Sequence, residues 1–428
     1  MSMVLILGIL YTLGMESQPP DQVEAATPSR DDAIRVPGGN IVLIVADTLR
    51  ADHLGSHGYQ RPTSPNLDSL ARESVLFQRS YSHAPWTHPS ISSLMTGLHP
   101  RYHGVHQWNH QLRDKLLTLS EALKAGGYNT AAIMSHSLFD PRHGHKQGYD
   151  IYDLSALGDQ DPNKAITSKK VTDRAVLALE MLKEPFFLFV HYFDPHSDYI
   201  HHHKQFPWAG DDDMSRYDSE IAFTDFHIGR LLQELQDRGI KDRTVVAFTA
   251  DHGEEFREHG GDEHGVTLYE ELIRVPLMLR IPGVKPAKVN KMVTQTHVAP
   301  TLLDLVGQPV PAQHAKRPIR FMPDGIKIKQ GALISETRLG VYMRAISKGD
   351  YKLIHAVEGD KQATVELYNL RTDRGERHNL AQKEKGRAEA LLQELERFYQ
   401  PAEAVVKQFK LDDPTTAKLK SLGYLNGP

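Results

Sequence analysis

The chain has 428 residues and a formal net charge of −4, from 50 Lys and Arg against 54 Asp and Glu. This balance excludes a generally basic nucleic-acid binder and an acidic low-complexity protein, so no nucleic-acid polymer is expected as a partner. Hydrophobic residues make up 40% of the chain, enough for a sizeable core. With no cysteine and 24 histidines, disulfides and thiolate sites are excluded, and imidazole and carboxylate groups are the available transition-metal ligands.

The first residues predict an exported protein, either periplasmic or secreted. Residues 3–15 (MVLILGILYTLGM) are apolar and too short for a comfortable membrane span, and small residues at 23–27 suit signal cleavage. A short anchor or a misplaced start codon are the alternatives, because no Lys or Arg precedes the apolar stretch; without a signal the protein would be cytoplasmic. Residues 16–38 are rich in proline, serine and charge and predict a linker. No stable membrane span is expected.

Five continuous apolar runs predict strands of a mostly parallel sheet that is covered on both faces. The runs are IVLIVAD at 41–47, TAAIMS at 130–135, PFFLFVHYF at 185–193, TVVAFTAD at 244–251 and VPLMLRI at 275–281. Helical patterns lie between them, which favours an α/β sandwich. Ligands of such sheets gather at the carboxyl ends of the strands, where Asp47 and Asp251 stand.

The character of the sequence changes from about residue 331. Short alternating runs predict a small antiparallel sheet, and KEKGRAEALLQELERFYQ at 383–400 predicts an amphipathic helix. We therefore expect a signal-like segment and linker at 1–38, a catalytic α/β domain at 39–325, and a C-terminal α+β subdomain at 326–428.

Two candidate site residues each have an ordinary structural reading beside the functional one. Asp47 ends a buried strand and, alone, is either a loop cap or a metal ligand. Pro89 suits the first position of a helix that ends near Gly97, so Thr87 would stand just before a helix N-terminus. Its hydroxyl is either a cap or, beside a metal, a nucleophile that can ionise.

Further polar residues follow two other predicted strands. Asp251 and His252 are adjacent at a strand end, with His264 after them, and together they can ligate one ion. Asp194 and His196 follow the strand at 185–193, and a triple histidine shortly after them has the pattern of a solvated loop. The mixture of oxygen and nitrogen ligands favours zinc or manganese over calcium, as one or two divalent ions.

In this order the clusters resemble the sulfatase family of the alkaline phosphatase superfamily, over about residues 40 to 425. The family's nucleophile motif (Cys or Ser, any residue, Pro, Ser, any residue, Arg) is matched in part by Thr87-His88-Pro89-Ser90. Other matching segments are GGYNTA at 126–131, YFDPH at 192–196, RVPL at 274–277, APTLLD at 299–304 and GDYKLI at 349–354. The resemblance implies an alkaline-phosphatase-like sandwich and a metal-dependent ester hydrolase whose substrate is an anionic ester, small or derived from a glycan or lipid.

The departures from the family pattern change the expected chemistry. Thr87 stands where the family has a residue converted to formylglycine, and oxidation of threonine would give a ketone instead of an aldehyde. Ile91 and Ser135 replace a family Arg and Lys, while His252 and His264 replace a family Asn and Lys. The site therefore resembles phosphodiesterases and phosphoethanolamine transferases of the superfamily, which use an unmodified Thr.

The resemblance also implies roles for individual residues. The implied metal ligands are Asp47, Thr87, Asp251, His252, His264, Asp194 and His196. Thr87 is the expected nucleophile, and His196 is the expected acid for the leaving group if it is not a ligand. Asn109 falls where the phosphodiesterases place an Asn that contacts a non-bridging oxygen, and Thr48 replaces the second Asp of the family's Asp-Asp pair.

Four functions are compatible with these residues. The leading hypothesis is hydrolysis of a phosphate-type ester (a phosphodiester, phosphonate or phosphate monoester) through a covalent intermediate on Thr87. The alternatives are a sulfuric ester hydrolase without formylglycine, a transferase of a phospho-group, and a non-catalytic binding protein. No feature of the sequence indicates an oligomeric state.

Overall fold

The computed structural model describes residues 32–156, 166–196, 198–312, 318–357, 363–400, 407–409 and 416–417. The predicted signal segment and its cleavage region lie outside these residues. Within the described ranges, the helices are all too short or too polar to cross a membrane.

The strands are short, at most eight residues long. They are β1 Asn40–Ala46, β2 Val75–Tyr81, β3 His110–Gln111, β4 Asn129–Ile133, β5 Ile151–Asp153, β6 Phe186–Tyr192, β7 Thr244–Ala250, β8 Glu255–Phe256, β9 Asp262–Glu263, β10 Leu277–Arg280, β11 Ala287–Thr294, β12 Arg320–Met322, β13 Gly325–Lys327, β14 Leu333–Thr337, β15 Tyr342–Lys348, β16 Tyr351–Val357, β17 Thr364–Asn369 and β18 Lys407–Gln408. The helices are α1 Pro65–Arg72, α2 Thr87–Thr96, α3 Pro100–His103, α4 Leu119–Ala125, α5 Ser168–Met181, α6 Asp213–Asp237, α7 Glu270–Ile273, α8 Val298–Leu305 and α9 Lys385–Tyr399.

The central sheet has eight strands in the order β11-β2-β10-β7-β1-β6-β4-β5. All its neighbouring pairs are parallel except those of β10, which runs antiparallel to both β2 and β7. The predicted α/β fold with a mostly parallel sheet is confirmed. The direction of β10 is not visible in its sequence, because a strand buried on both faces has a continuous apolar run in either direction.

Two separate apolar cores cover the two faces of this sheet. The odd-numbered residues 41–45 of β1 pack in one core with side chains of α2, α4 and α8. The even-numbered residues 42–46 pack in the other core with side chains of α1, α5 and α6. Successive side chains of a strand point to opposite faces, so helices on both sides require an apolar residue at every position of β1.

A four-stranded antiparallel sheet follows the main sheet in the chain, in the order β14-β15-β16-β17. One of its faces is covered by α9 through Leu391 and Leu395. The predicted C-terminal antiparallel sheet and amphipathic helix are therefore confirmed, while the domain boundary at residue 326 stays a prediction.

The candidate site residues lie at the centre of the main sheet. Strand β1 stands between β7 and β6, and Ala46 is paired with Ala250 on one side and with Tyr192 on the other. The three parallel strands therefore deliver the residues that follow them to one edge, the usual position for ligands in such sheets.

Candidate metal and nucleophile site

Asp47, Asp251 and His252 converge at the carboxyl edge of β1 and β7. His252 Nε2 lies 3.4 Å from Asp47 Oδ1 and 3.5 Å from Asp251 Oδ2. Each residue offers a ligand atom within 4.8 Å of the other two, and all three side chains are fully buried. The three residues form what we call the central cluster, which combines two carboxylates and one imidazole.

Thr87 reaches the central cluster from the start of α2. The helix begins at Thr87 itself, so the prediction that it begins at Pro89 was wrong by two residues, whereas its predicted end at Gly97 is confirmed. Gly97 adopts φ 64°, a left-handed conformation that favours glycine. Thr87 Oγ1 lies 3.3 Å from His252 Nε2. A hydroxyl in the first turn of a helix lies where the backbone favours negative charge.

Two buried polar side chains tie α2 to the end of β7. Ser90 Oγ donates to the carbonyl of Asp251 at 2.6 Å, and Gln295 Nε2 donates to the same carbonyl at 2.6 Å. Gln295 Oε1 also lies 3.0 Å from Ser90 Oγ. The first turn of α2, and with it Thr87, is thereby held against Asp251.

The imidazole of His252 is oriented by its neighbouring backbone. Nδ1 lies 2.9 Å from the carbonyl oxygen of Gly253. Because a carbonyl oxygen can only accept a hydrogen bond, Nδ1 is the donor, and Nε2 faces the central cluster. Such an outer hydrogen bond is typical of metal-binding histidines. Gly253 is required here because a Cβ at this position would lie 1.9 Å from the carbonyl oxygen of Glu271.

Thr48 turns the chain sharply after Asp47. Its φ of 53° is left-handed, which is strained for a β-branched residue. Its backbone N–H donates to Asp251 Oδ1 at 3.3 Å, and its hydroxyl donates to the carbonyl of Pro195 at 3.1 Å. Thr48 therefore positions Asp251 through its backbone N–H, while its side chain holds the loop at Pro195.

The charges of the central cluster shift one another's pKa values. Burial raises the pKa of Asp251 to about 7, with the charge of Asp47 adding to the effect. Burial disfavours the charged form of His252, but Asp251 and Asp47 outweigh it and raise the pKa of His252 to about 9. Burial likewise opposes ionisation of Asp47, yet its contact with His252 holds the pKa of Asp47 well below its usual range. The pocket thus favours added positive charge.

The central cluster fits a divalent metal ion. Among the described residues, neither oxygen of Asp47 has a hydrogen-bond partner, and the same holds for Asp251 Oδ2. Buried carboxylate oxygens without partners are costly unless a cation compensates them. Two carboxylates and an imidazole are ligand types that divalent transition metals accept, and the hydroxyl of Thr87 lies beside them.

His264 and His196 lie beside the central cluster. The ring centroids of His264 and His252 are 4.6 Å apart, and those of His264 and His196 are 4.8 Å apart. His264 Nδ1 lies 2.9 Å from Glu254 Oε1, and the His196 ring stacks on Phe193 at 4.5 Å. His196 is buried, and the side chain of His264 is only 2% exposed. The arrangement can support either a second ion or a proton donor.

Asp194 is not brought into the central cluster. Its Oδ1 accepts from the backbone N–H of Thr167 at 2.9 Å, and its Oδ2 accepts from the backbone N–H of Ser168 at 2.7 Å. It therefore caps the N-terminus of α5 across the chain, which differs from the expected metal role. Asn109 lies in the turn before β3, where its carbonyl accepts from Phe409 N at 3.1 Å. The contacts of the described residues do not link its side chain to the central cluster.

Three residues that contact this site carried no assigned role in the sequence. They are His191, Glu254 and Gln295. His191 Nε2 lies 3.6 Å from Asp47 Oδ2, because β6 pairs with β1 and places His191 beside Val45. His191 is a polar residue inside an apolar run, which could have marked it in the sequence. Its contact with Asp47 is known only from the fold, because the sequence does not show that β6 pairs with β1.

The two positions where the family pattern has cations supply no positive charge. Ile91 is part of the apolar core. Ser135 is buried, and its hydroxyl donates to the carbonyl of His191 at 3.3 Å. An anion at the site would therefore meet imidazoles, hydroxyls and the metal in place of these cationic side chains.

Comparisons with known proteins agree with this fold. A family model described as Sulfatase matches residues 39–308. An ulvan-active sulfatase of Formosa agariphila is 26% identical over 322 residues, which cover 64% of this chain and 62% of that protein. The chain spans 62%, 59% and 60% of the lengths of the first three curated relatives that it matches.

Two solved structures show how widely the fold is shared. Ps i-CgsB in complex with k-i-k-neocarrahexaose has a TM-score of 0.73 at 21% identity, covering 91% of this chain and 98% of that chain. A phosphonate monoester hydrolase from Silicibacter pomeroyi has a TM-score of 0.70 at 18% identity, covering 84% of this chain and 95% of that chain. At these identities the likeness concerns the fold alone.

Proposed function

The chain belongs to the sulfatase family, and from this premise we propose that it is a metal-dependent hydrolase of phosphate-type esters with Thr87 as the nucleophile. The observation that carries the proposal is the 3.3 Å separation between Thr87 Oγ1 and His252 Nε2 at a buried pair of carboxylates. Enzymes of this family use a divalent metal, and the central cluster offers ligands for one.

The metal would be held by Asp47, Asp251, His252 and Thr87. When bound, it would supply positive charge that favours the ionised form of the hydroxyl and of the substrate's oxygens. The side chain of Thr87 is held at the start of α2, where the helix also favours negative charge. The oxygen of Thr87 would therefore lie beside the metal in its ionised form, which is the form that attacks the substrate.

The proposed reaction has two displacements. Thr87 Oγ forms a bond to phosphorus as the bond from phosphorus to the leaving oxygen breaks, and the hydroxyl proton passes to solvent. His196 is the proposed donor of a proton to the leaving oxygen. Water then attacks the phosphorus as its bond to Thr87 Oγ breaks. One proton of the water goes to Thr87 Oγ and the other stays with the product acid, while His196 regains a proton from solvent, so the enzyme returns to its starting state.

Diester-type substrates fit the site better than sulfate esters do. A phosphodiester or a phosphonate monoester has two non-bridging oxygens that share one negative charge, whereas a sulfate ester has three such oxygens to be bound. Ile91 and Ser135 supply no cations for the additional oxygen. A phosphate monoester carries a second charge and is less well matched for the same reason.

Thr87 also favours phosphorus as the reacting centre. The hydrate of formylglycine can release sulfate by breaking its own carbon–oxygen bond, and a threonine ester has no such route. A threonine sulfate could be cleaved only by attack of water on the sulfur. The phosphorylated threonine is instead resolved by the same kind of displacement that formed it.

Sulfate-ester hydrolysis is the second candidate function. It is favoured by the curated relatives, among them the ulvan-active sulfatase, which is 26% identical over its matched region. Under this alternative the substrate would be a sulfated glycan or aryl sulfate, again an anionic ester. The two candidates share the metal and Thr87 and differ in the atom that Thr87 attacks.

A substrate panel separates the candidates. The full chain is freed of metal, reloaded with Zn²⁺, Mn²⁺ or Ca²⁺ in turn, and assayed with p-nitrophenyl esters of four kinds: a phosphodiester, a phenylphosphonate, a phosphate and a sulfate. We expect kcat/KM for the diester or the phosphonate to exceed that for the sulfate at least about tenfold, equivalent to about 1.4 kcal/mol in the transition state. Preference for the sulfate would overturn the proposal.

A further inference from the structure

The triple histidine lies in the loop that joins β6 to α6 and forms a second His–carboxylate cluster. His201 Nδ1 lies 3.1 Å from Asp211 Oδ1, and His203 Nε2 lies 3.5 Å from the same oxygen. The three residues each offer a ligand atom within 4.8 Å of the other two. They share no member with the central cluster, and they lie nearer to the surface: Asp211 is 76% exposed and His203 is 63% exposed.

The local backbone places the two histidines on one side. His202 packs inward, with its ring stacked on Phe223 of α6 at 4.1 Å and its N–H donating to Ser219 Oγ at 3.2 Å. The rings of its neighbours His201 and His203 lie side by side, with their centroids 3.3 Å apart.

Asp211 is available as a ligand because its neighbour performs the helix capping. Asp212 Oδ1 accepts from the backbone N–H of Ser215 at 3.0 Å and so caps α6. The Asp211 carboxylate instead turns toward the two imidazoles. Its charge lies in a run of three consecutive aspartates, which attracts cations to this end of the loop.

The spacing matches that of ligands around one small ion. Nitrogen and oxygen ligands lie about 2.0–2.1 Å from a tetrahedral zinc ion, so two of them are separated by about 3.3–3.4 Å. The two separations from Asp211 Oδ1, 3.1 and 3.5 Å, lie on either side of that value. Among the described residues, His201 Nε2 is buried without a hydrogen-bond partner. His201 Nδ1 is therefore the ring nitrogen that faces Asp211 and the space between the three side chains.

A comparable cluster elsewhere in the chain is already satisfied by hydrogen bonds. Glu255, His259 and Glu271 also lie within 4.8 Å of one another. However, Glu255 Oε1 accepts from two backbone N–H groups, His259 Nδ1 lies 2.5 Å from Glu271 Oε1, and His259 Nε2 lies 3.3 Å from the carbonyl oxygen of Glu376. These contacts form a closed network, so this cluster does not require an ion.

We propose that His201, His203 and Asp211 bind a divalent transition-metal ion of the zinc type, separate from the ion of the central cluster. Two imidazoles and one carboxylate suit such an ion, with water as the remaining ligand. The ion would join the two ends of residues 204–210 and so fix a loop that begins close to His196. Its role is therefore to fix the loop between β6 and α6, the same loop that carries His196.

The test compares two single variants of the full, tag-free chain. His203→Ala removes an exposed ligand. His378→Ala removes another exposed histidine, 81% exposed against 63% for His203, which pairs with Asp373 at 3.5 Å and belongs to none of the clusters described above. Each protein is stripped of metal, dialysed against Zn²⁺ and analysed for bound metal. Trypsin cleavage after the exposed Lys204 is followed with and without Zn²⁺.

We expect wild type and His378→Ala to bind one more equivalent of Zn²⁺ than His203→Ala, or to bind that equivalent at least about tenfold more tightly. Zn²⁺ should slow cleavage after Lys204 in wild type and in His378→Ala, and not in His203→Ala. Equal Zn²⁺ content and affinity in all three proteins would overturn the proposal. Loss of the equivalent in both variants would overturn it as well, because binding would then not depend on this site.

Discussion

Thr87 Oγ1 lies 3.3 Å from Nε2 of His252, although 165 positions separate the two residues in the chain. The contact joins the first residue of α2 to the residue that follows Asp251 at the end of β7. Both side chains are fully buried beside Asp47. This pairing is the basis for assigning Thr87 both to the metal site and to the reaction.

Replacing Thr87 with Ala is expected to lower kcat at least about 10³-fold, because the nucleophile is removed. Bound metal should stay near the wild-type amount, since Asp47, Asp251 and His252 remain. Thr87→Ser should keep measurable turnover. Steady-state assays and metal analysis check both expectations.

The matched control for Thr87 is Thr96→Ala, at the other end of α2. The hydroxyl of Thr96 donates to the carbonyl of Ser92 at 2.6 Å and is remote from the central cluster. This variant should keep its turnover and lose only about 1 kcal/mol of unfolding free energy. Wild-type turnover in Thr87→Ala would refute the nucleophile assignment.

Metal removal is expected to lower the thermal stability of the protein. The Asp47 oxygens are buried without hydrogen-bond partners among the described residues, and a bound ion stabilises the folded state by mass action. Chelation should lower Tm by several degrees, and added Zn²⁺ or Mn²⁺ should restore it. In Asp47→Asn, the response of Tm to metal at this site should disappear.

The control for Asp47→Asn is Asp52→Asn. Asp52 lies five residues later, is 51% exposed and pairs with Arg50 at 3.0 Å. Its replacement should leave both metal content and turnover close to wild type. If Asp47→Asn bound as much metal as Asp52→Asn, Asp47 could not be a ligand.

Asp194→Ala is expected to behave as the loss of a helix cap. The carboxylate accepts from the backbone N–H groups of Thr167 and Ser168 at the start of α5. Its removal should cost about 1–2 kcal/mol of unfolding free energy in urea titrations. Metal content should be unchanged; a stoichiometric loss of metal would return Asp194 to the ligand set.

Lys352→Met is expected to destabilise the protein by about 3–5 kcal/mol, measured by urea unfolding. Lys352 is fully buried, and its Nζ lies 2.9 Å from Glu376 Oε1 and 3.5 Å from Glu270 Oε1. Without the ammonium group, two buried carboxylates face each other unpaired. The exposed Lys348, which pairs with Glu394 at 2.7 Å, is the control, and Lys348→Met should cost less than about 1 kcal/mol.

The same buried group predicts a pH dependence of stability. Burial raises the pKa of Glu376 from 4.5 to about 7; Lys352 opposes this shift, and Glu270 adds to it. The stability linked to this raised pKa is fully present below pH 4.5 and is lost as the pH rises through about 7. The unfolding free energy of wild type should therefore fall, relative to that of Glu376→Gln, between about pH 4.5 and 7. A constant difference across this range would contradict the shift.

Much of the fold could be predicted from local pattern. The runs at 41–47 and 244–251 became β1 and β7, because strands buried on both faces need apolar residues at every position. The runs from residue 332 onward became β14 to β17, although both faces of this sheet contribute to apolar clusters and β14 is buried at all five positions. The motifs around Thr87 and Asp251 indicated the family, and the sulfatase model over residues 39–308 confirms it.

The sequence by itself determined the strands, the family and the candidate residues at the strand ends, because these depend on neighbours close in the chain. Only the tertiary structure decided which candidates meet. Asp194 and His191 both lie near the end of β6, yet Asp194 caps α5 while His191 lies 3.6 Å from Asp47. The physical reason is that strand register and helix placement set these distances, and both arise from packing between separate elements: 26 positions separate Ser168 from Asp194, and 144 separate Asp47 from His191.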